Sequence, residues 1–300
     1  MPIDRKSGRQ CESGWALVSV LWAVTMLSLM AAAIEQLTLT AHWTERRAWD
    51  KARADAAFQA AICEAVLGIT SPDVSQRWRV DGTPRKWVFE EFKLKITIQD
   101  ESGRFDLNTI DGGTLTALLH TAGELPADQS EALSNSILNW RNAERTLHLL
   151  DGATDDDYHA AGLGYLPRHG PFQSVDELRL VLGMTPALFK KVRPALTVYT
   201  HRTLVDPNLA PRESLLALDN GNETLVDATL MARNSAEQVA SPLSLGSATG
   251  VIGMGVSTAG RIFSIEIETR IDRRIYRQRT TIELTGTDIQ PYVTLDWSRS

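Results

Sequence analysis

Residues 15–34 read WALVSVLWAVTMLSLMAAAI, an uncharged run that comes after Arg5, Lys6 and Arg9. Its length matches the roughly 20 apolar residues an α-helix needs to cross the hydrocarbon core of a bilayer. Basic residues before the run, and mixed sequence after it, put the first residues in the cytoplasm by the positive-inside bias. Everything beyond about residue 40 then lies outside.

Three kinds of segment share this composition. A secretory signal peptide would be cut near Ala31-Ala32-Ala33, although its apolar region is usually only about 7–15 residues long. A plain anchor would stay whole. A prepilin leader would be cut after Gly14 on the cytoplasmic side, leaving Trp15 at the head of the mature chain. The residues beyond the span favour the third. From Trp15 to Ser71 there is no proline, and Ala, Leu, Arg, Glu and Gln dominate after the span, so the helix can continue far beyond a membrane. Gly68 and Pro72 give it an end. A helix of about 55 residues at 1.5 Å per residue is about 80 Å long, apolar in its first half and amphipathic in its second.

The remainder is large enough for about two domains. A net charge of −6 and a pI of about 5.6 give the whole chain no long-range attraction for polyanions, so proteins are the expected partners. Cys11 and Cys63 cannot make a disulfide framework. Leu94, Ile96 and Ile98 alternate with polar residues over Lys93–Gln99, the period of a half-buried strand, and Trp87-Val88-Phe89 suggests a strand before it. Helices are expected at Thr114–Thr121, Asp128–Trp140, Ser174–Leu182 and Pro186–Val192, with Ser174 and Glu177 as a capping box.

Near the C-terminus, Phe263, Ile265 and Ile267 form one alternating run, and Tyr276, Gln278, Thr280, Ile282 and Leu284 form another. With Asp272-Arg273 between them they read as an antiparallel hairpin returning to the strand near residue 96, which makes the helical region an insertion in an α+β fold. Ser241 to Gly260 is Gly- and Ser-rich, as in a connecting segment. A faint repeat is also present: FDLNTI at 105–110, followed by Leu115 and Leu118-Leu119, is echoed by LVDPNLA at 204–210, followed by Leu215-Leu216 and Leu218.

Taken together, the Gly14 leader followed by WALVSVLW, DESGRFDLNT at 100–109, FQSVDELRLVLGMT at 172–185 and VDPNLAP at 205–211 resemble the general secretion pathway protein K family, the K-type minor pseudopilins of type II secretion. The resemblance implies a pilin-like α+β fold: a long N-terminal helix packed on a small antiparallel sheet, with a large inserted helical domain of two SAM-like or helix-hairpin-helix-like modules. Along this chain that divides into a prepilin leader at 1–14, a transmembrane and stalk helix at 15–70, the first part of the core at 71–100, inserted modules at 101–200 and 201–245, and closing strands at 246–300. It further implies cleavage between Gly14 and Trp15 by a prepilin peptidase. The inner membrane would hold the anchor, and the bulk of the chain would be periplasmic. Expected partners are the I-type, J-type and H-type minor pseudopilins and the major pseudopilin, in a complex at the pseudopilus tip that promotes assembly. Most pilins carry Glu at the fifth mature position, where it neutralises a neighbour's buried amino terminus. Here that position is Ser19, as suits a subunit with none beyond it.

Chemical clusters are few. Asp151, Asp155, Asp156 and Asp157 supply oxygen ligands of the kind calcium takes, and family members with calcium sites extend that expectation to Asp155, Asp156 and Asp157; the alternative is a solvated acidic loop. Val181-Leu182-Gly183-Met184-Thr185-Pro186 is similar to a DNA-gripping helix-hairpin-helix turn, which leaves a DNA-binding protein of an uptake pilus as the alternative function. Residues 101–200 hold eight Lys and Arg against thirteen Asp and Glu, so no nucleic acid is expected. His159 and His169 flank the acidic run as conceivable zinc ligands, but the histidines otherwise lie scattered, no motif such as H-E-x-x-H is present, and no enzyme is expected. Cys63, on an Ala-rich helix, is read as a small core residue. Arg270, Arg273, Arg274, Arg277 and Arg279 are read as an exposed strand edge protected by charge.

Overall fold

The structure is a computed structural model that describes residues 13–143, 152–235, 261–271, 274–287 and 289–299. The part of the expected leader before Ser13, Cys11, Asp151, Asp272, Arg273 and the Ser241–Gly260 segment lie outside the described residues. Two compact units divide at Ala56/Ala57.

The first unit is helical. Helix α1 covers Ser13–Thr70, and within it Trp15–Ala33 is apolar and long enough to cross a membrane, with none of that stretch buried by protein. Trp15, Leu27 and Trp22 are among the most exposed large apolar side chains of the chain. The polar groups within the span bond to their own helix: Ser19 Oγ donates to Ala16 O, Thr25 to Trp22 O and Ser28 to Val24 O. Hydrocarbon offers no other partner, so this back-bonding is what lets hydroxyls sit in such a segment.

In the second unit, α1 turns amphipathic. Ala57, Phe58, Ala61, Ile62, Ala65, Val66 and Ile69 are buried at helical spacing, with alanines allowing close approach. Their counterpart is a five-stranded antiparallel sheet in the order β1-β2-β5-β6-β7, comprising β1 (Asp81–Phe89), β2 (Phe92–Asp100), β5 (Ile262–Ile271), β6 (Arg274–Leu284) and β7 (Tyr292–Arg299). The register puts Ile96 beside Ile267 and Ile98 beside Ile265, so one face is a continuous apolar layer. Helix α1 stops before Pro72, and Gly68 has a role beyond punctuation. A Cβ there would lie 2.5 Å from the Trp78 ring, whose backbone N–H donates to Gly68 O.

Between β2 and β5 the chain builds the helical insertion: α2 (Gly112–Thr121), α3 (Ala127–Arg141), α4 (Asp155–Ala160), α5 (Pro186–Val192), α6 (Arg212–Leu218) and α7 (Glu223–Ser235). Two-residue strands β3 (Phe105–Asp106) and β4 (Leu196–Thr197) pair in parallel and join the start of the insertion to the segment between α5 and α6. Its core holds Leu107, Leu118, Ile137, Trp140, Phe189 and Val192.

Several expectations need correcting. The segment expected as a helix at Ser174–Leu182 is a 3-10 turn over Val175–Leu180, and its capping box does not close. Ser174 accepts from Asp176 N, whereas Glu177 accepts from Gln173 N and from the Trp140 indole. Cys63 is exposed, because it sits on the side of α1 away from the buried stripe. The arginine-rich strand is no edge either: β6 lies between β5 and β7, and Arg277 and Arg279 meet Glu268 and Glu266 across the strands at 2.8 and 3.1 Å. Strand β7, which the sequence did not announce, takes the edge.

Candidate functional site

Two regions carry the residues that the sequence singled out: the head of α1, and the seam where the sheet meets the insertion.

At the head of α1, Gly14 and Trp15 are both helical, and Ser19 lies one turn on, exposed, with its hydroxyl held by Ala16 O at 3.0 Å. No carboxylate stands at that position to neutralise a neighbouring amino terminus.

At the seam, the DESGR stretch leaves β2. Asp100 accepts from Ser102 N at 2.8 Å, and Glu101 takes Arg104 at 2.6 Å, both carboxylates being buried. Burial pushes the Asp100 carboxyl up to about 6; its hydrogen bonds from Ser102 act the other way, while Glu101 and Asp206 push it further up. Gly103 is the contact point with the second repeat. A Cβ there would collide with Leu209 O, so only glycine lets the two backbones meet. Gln99 donates to the same carbonyl at 2.6 Å, and Asp206 N donates to Ser102 O at 2.9 Å.

The faint repeat is real in three dimensions. Asp106 accepts from Asn108 N at 2.8 Å, and Asp206 accepts from Asn208 N at 2.9 Å, the same Asx turn opening each unit. Helix α2 follows one turn and α6 the other, with Leu115 and Leu215 buried at matching places, and the two helices pack together. Each unit closes on an arginine of its next helix. Arg141 on α3 donates to Leu107 O and Ile110 O at 2.5 and 2.6 Å; Arg233 on α7 donates to Ala210 O at 2.7 Å and to Pro207 O. The arginine clamp was not read from the sequence, because it is spaced differently in the two units. The FQSVDEL stretch locks onto the first: Asn108 and Phe172 exchange bonds of 2.7 and 3.0 Å.

The acidic run is the first turn of α4. Asp155 meets His169 Nε2 at 2.8 Å, and Asp157 accepts from Thr154 N and Oγ1 at 2.7 and 2.8 Å, which holds its carboxyl below the usual range. Asp156 is exposed. Among the described residues no group of three or more His, Cys, Asp or Glu converges to hold a metal ion. The bonds to His169 and Thr154 engage Asp155 Oδ1 and Asp157 Oδ2. At the helix-hairpin-helix-like turn the Leu182 amide donates to Tyr158 Oη at 2.8 Å and the Met184 amide to Val181 O at 3.0 Å, so neither is free to grip a phosphate.

Comparison with known proteins agrees with this layout. Residues 103–201 match the family model for type II secretion system protein K. The chain is 29% identical to type II secretion system protein K of Klebsiella pneumoniae over 72% of this chain and 73% of that one. It is 26% identical to the protein of the same name from Pseudomonas aeruginosa over 89% and 87%. Its fold matches a chain in the crystal structure of the GspK–GspI–GspJ complex from enterotoxigenic Escherichia coli with a TM-score of 0.60 and 17% identity, covering 85% of this chain and 99% of that one. The exposed apolar helix, the sheet and the matched insertion thus belong to a chain that is similar, over most of its length, to proteins named type II secretion system protein K.

Proposed function

We propose that this protein is a minor pseudopilin of type II secretion that caps the pseudopilus and starts its assembly, working by packing and membrane extraction rather than by covalent chemistry. The observation that carries the proposal is the double character of α1. One helix is apolar and uncovered over Trp15–Ala33, and buries an alanine-rich stripe from Ala57 to Ile69 in its own globular unit. A subunit that is stored in a membrane and then packed into a helical filament needs both. Ser19 in place of a carboxylate suits the terminal position, since no further subunit presents a buried amino terminus to it. A bulky insertion beside the sheet is likewise tolerated where no subunit stacks above.

In this reading the anchor lies in the inner membrane, the globular part faces the periplasm, the prepilin peptidase cuts between Gly14 and Trp15, and the inserted region comprises two SAM-like modules. The companions are I-type and J-type minor pseudopilins, as in the complex named for its structural relative. Two measurements test this. Mass spectrometry of the membrane-extracted protein is expected to give a mature start at Trp15 that depends on the peptidase; a start at Met1 or Ile34 overturns the leader. Detergent-solubilised full chain is expected to co-elute with its I- and J-type companions at micromolar concentration, and independent elution counts against the tip role.

A further inference from the structure

The chain carries net charge −6, yet one surface of its globular unit is strongly basic. A cleft of about 500 Å³ opens between the sheet's outer face and the insertion. Its walls carry Arg104, Arg179, Lys190, Arg193 and Arg279 against a single lining carboxylate, Glu266. Nearby acids engage some of these: Glu101 holds Arg104, Asp176 holds Arg179 and Arg193, and Glu266 holds Arg279. Lys190 is exposed and has no carboxylate partner among the described residues.

The cleft continues down the sheet. Thr97 and Gln99 line it, and strand alternation puts Lys95 and Lys93 next on the same face of β2, both exposed. Lys95 lies between Lys86 of β1 and Glu268 of β5 in the register, so the strip gains a cation towards the β1 edge. The cleft's floor differs from its walls. Pro186, Pro194 and Pro211 supply apolar surface without backbone donors, and the buried Phe189 ring lies under the Arg179 guanidinium at 4.4 Å.

We infer that this cleft and strip dock an acidic, extended segment of a protein partner that also carries apolar side chains. The charge segregation supplies the attraction, since a negative molecule with one positive face orients an acidic partner towards that face. The proline floor favours a peptide over a nucleic acid: it offers apolar contact rather than the stacking platforms and continuous phosphate donors that nucleic acids require.

The test uses full chain in detergent micelles and a fluorescein-labelled twelve-residue peptide of Asp and Glu with one Leu and one Phe, read by anisotropy. Binding is expected to weaken with added salt. It should fall at least tenfold for the Lys95→Glu/Lys190→Glu double variant, both sites being exposed and outside the pairs above, and at least tenfold for the Asn/Gln version of the peptide. Equal binding by the neutral peptide, or an unchanged affinity in the double variant, overturns the inference. So does tighter binding of a single-stranded DNA of the same charge that the double variant abolishes, which would make the surface a nucleic-acid site. Co-elution with the companion pseudopilins is scored separately, so that a failure of this site is distinguishable from a failure of the tip role.

Discussion

The two repeated units of the insertion are built on the same hydrogen-bond frame but have very different cores. The first, from Phe105 to Arg141, feeds Leu107, Leu115, Leu118, Ile137 and Trp140 into a large cluster shared with α5. The buried cluster of the second holds Ala210, Leu215 and Val226, with Leu216 and Leu230 partly covering it. Both open on an aspartate turn and close on an arginine clamp. A turn and a clamp can therefore be repeated with little apolar burial, provided the unit docks elsewhere. The second unit docks on the turn that leaves β2, through Gly103 and Ser102, on Gln99 of that strand, and through α6 on α2.

The most damaging substitution is Gly103→Ala. A methyl group driven into Leu209 O must push the second unit off the seam, with an expected cost of about 3 kcal/mol or more. Hydrogen exchange of full chain in micelles should show protection lost across residues 205–235 while 105–141 keep theirs; a Tm equal to wild type sinks the docking argument.

Asp100 probes the same seam through pH, because Asp206 of the second unit is one of the charges acting on it. Its folded pKa of about 6 lies above the ordinary 3.8, so the folded state holds the proton more tightly. Below the unfolded value the group is neutral in both states. As pH rises through the folded value, ionisation in place costs stability, approaching about 3 kcal/mol. Asp100→Asn keeps an acceptor for Ser102 N, and should be more stable than wild type at pH 8, the gap closing near pH 4. Urea melts at the two pH values measure it, and a gap independent of pH refutes the buried-acid account.

The clamps come next. Arg141→Ala and Arg233→Ala each strip two backbone carbonyls of a charged donor, at about 2 kcal/mol apiece. Their exchange patterns should differ. Loss of Arg233 opens the second unit alone, whereas loss of Arg141 lowers the melting temperature of the whole insertion. Identical patterns would mean that the two units do not differ in autonomy. The smallest effect is expected at the turns. Asp206→Ala loses the bond to Asn208 N, at about 1 kcal/mol. Asp106→Ala should cost more, because Asp106 also accepts from His201 N and Thr200 Oγ1 in a buried site. Equal melting temperatures for the two variants would remove that distinction.

Much of this was legible in sequence where a pattern is local. Alternation over 93–99 and 263–284 placed three strands and their hairpin, and the exposed span and proline-free continuation placed α1. The DxN echo marked both units. Strand β7 was missed because its register slips between the Thr281 and Ile282 pairings, which breaks the alternation, and most of its side chains are exposed. Tyr199 of the insertion lies against Asp296 of this strand, a contact between residues far apart in the chain; burial, with Asp296 adding to it, pushes the Tyr199 phenol up to about 12. That the acidic run opens a helix capped by Thr154 and Asp157, and is not a loop, is something composition does not show.

The apolar anchor, the long helix, the alternating strands and the repeated turns were all written in the order of residues, because each depends on side chains within a few positions of one another. Other outcomes needed the folded chain: that Gly68 admits Trp78, that Gly103 admits Leu209, that Cys63 faces outward, and that five cations from distant segments line one cleft. These depend on which backbones approach across the fold, where exclusion at a few ångströms and the pooling of charge act between residues that no local pattern connects.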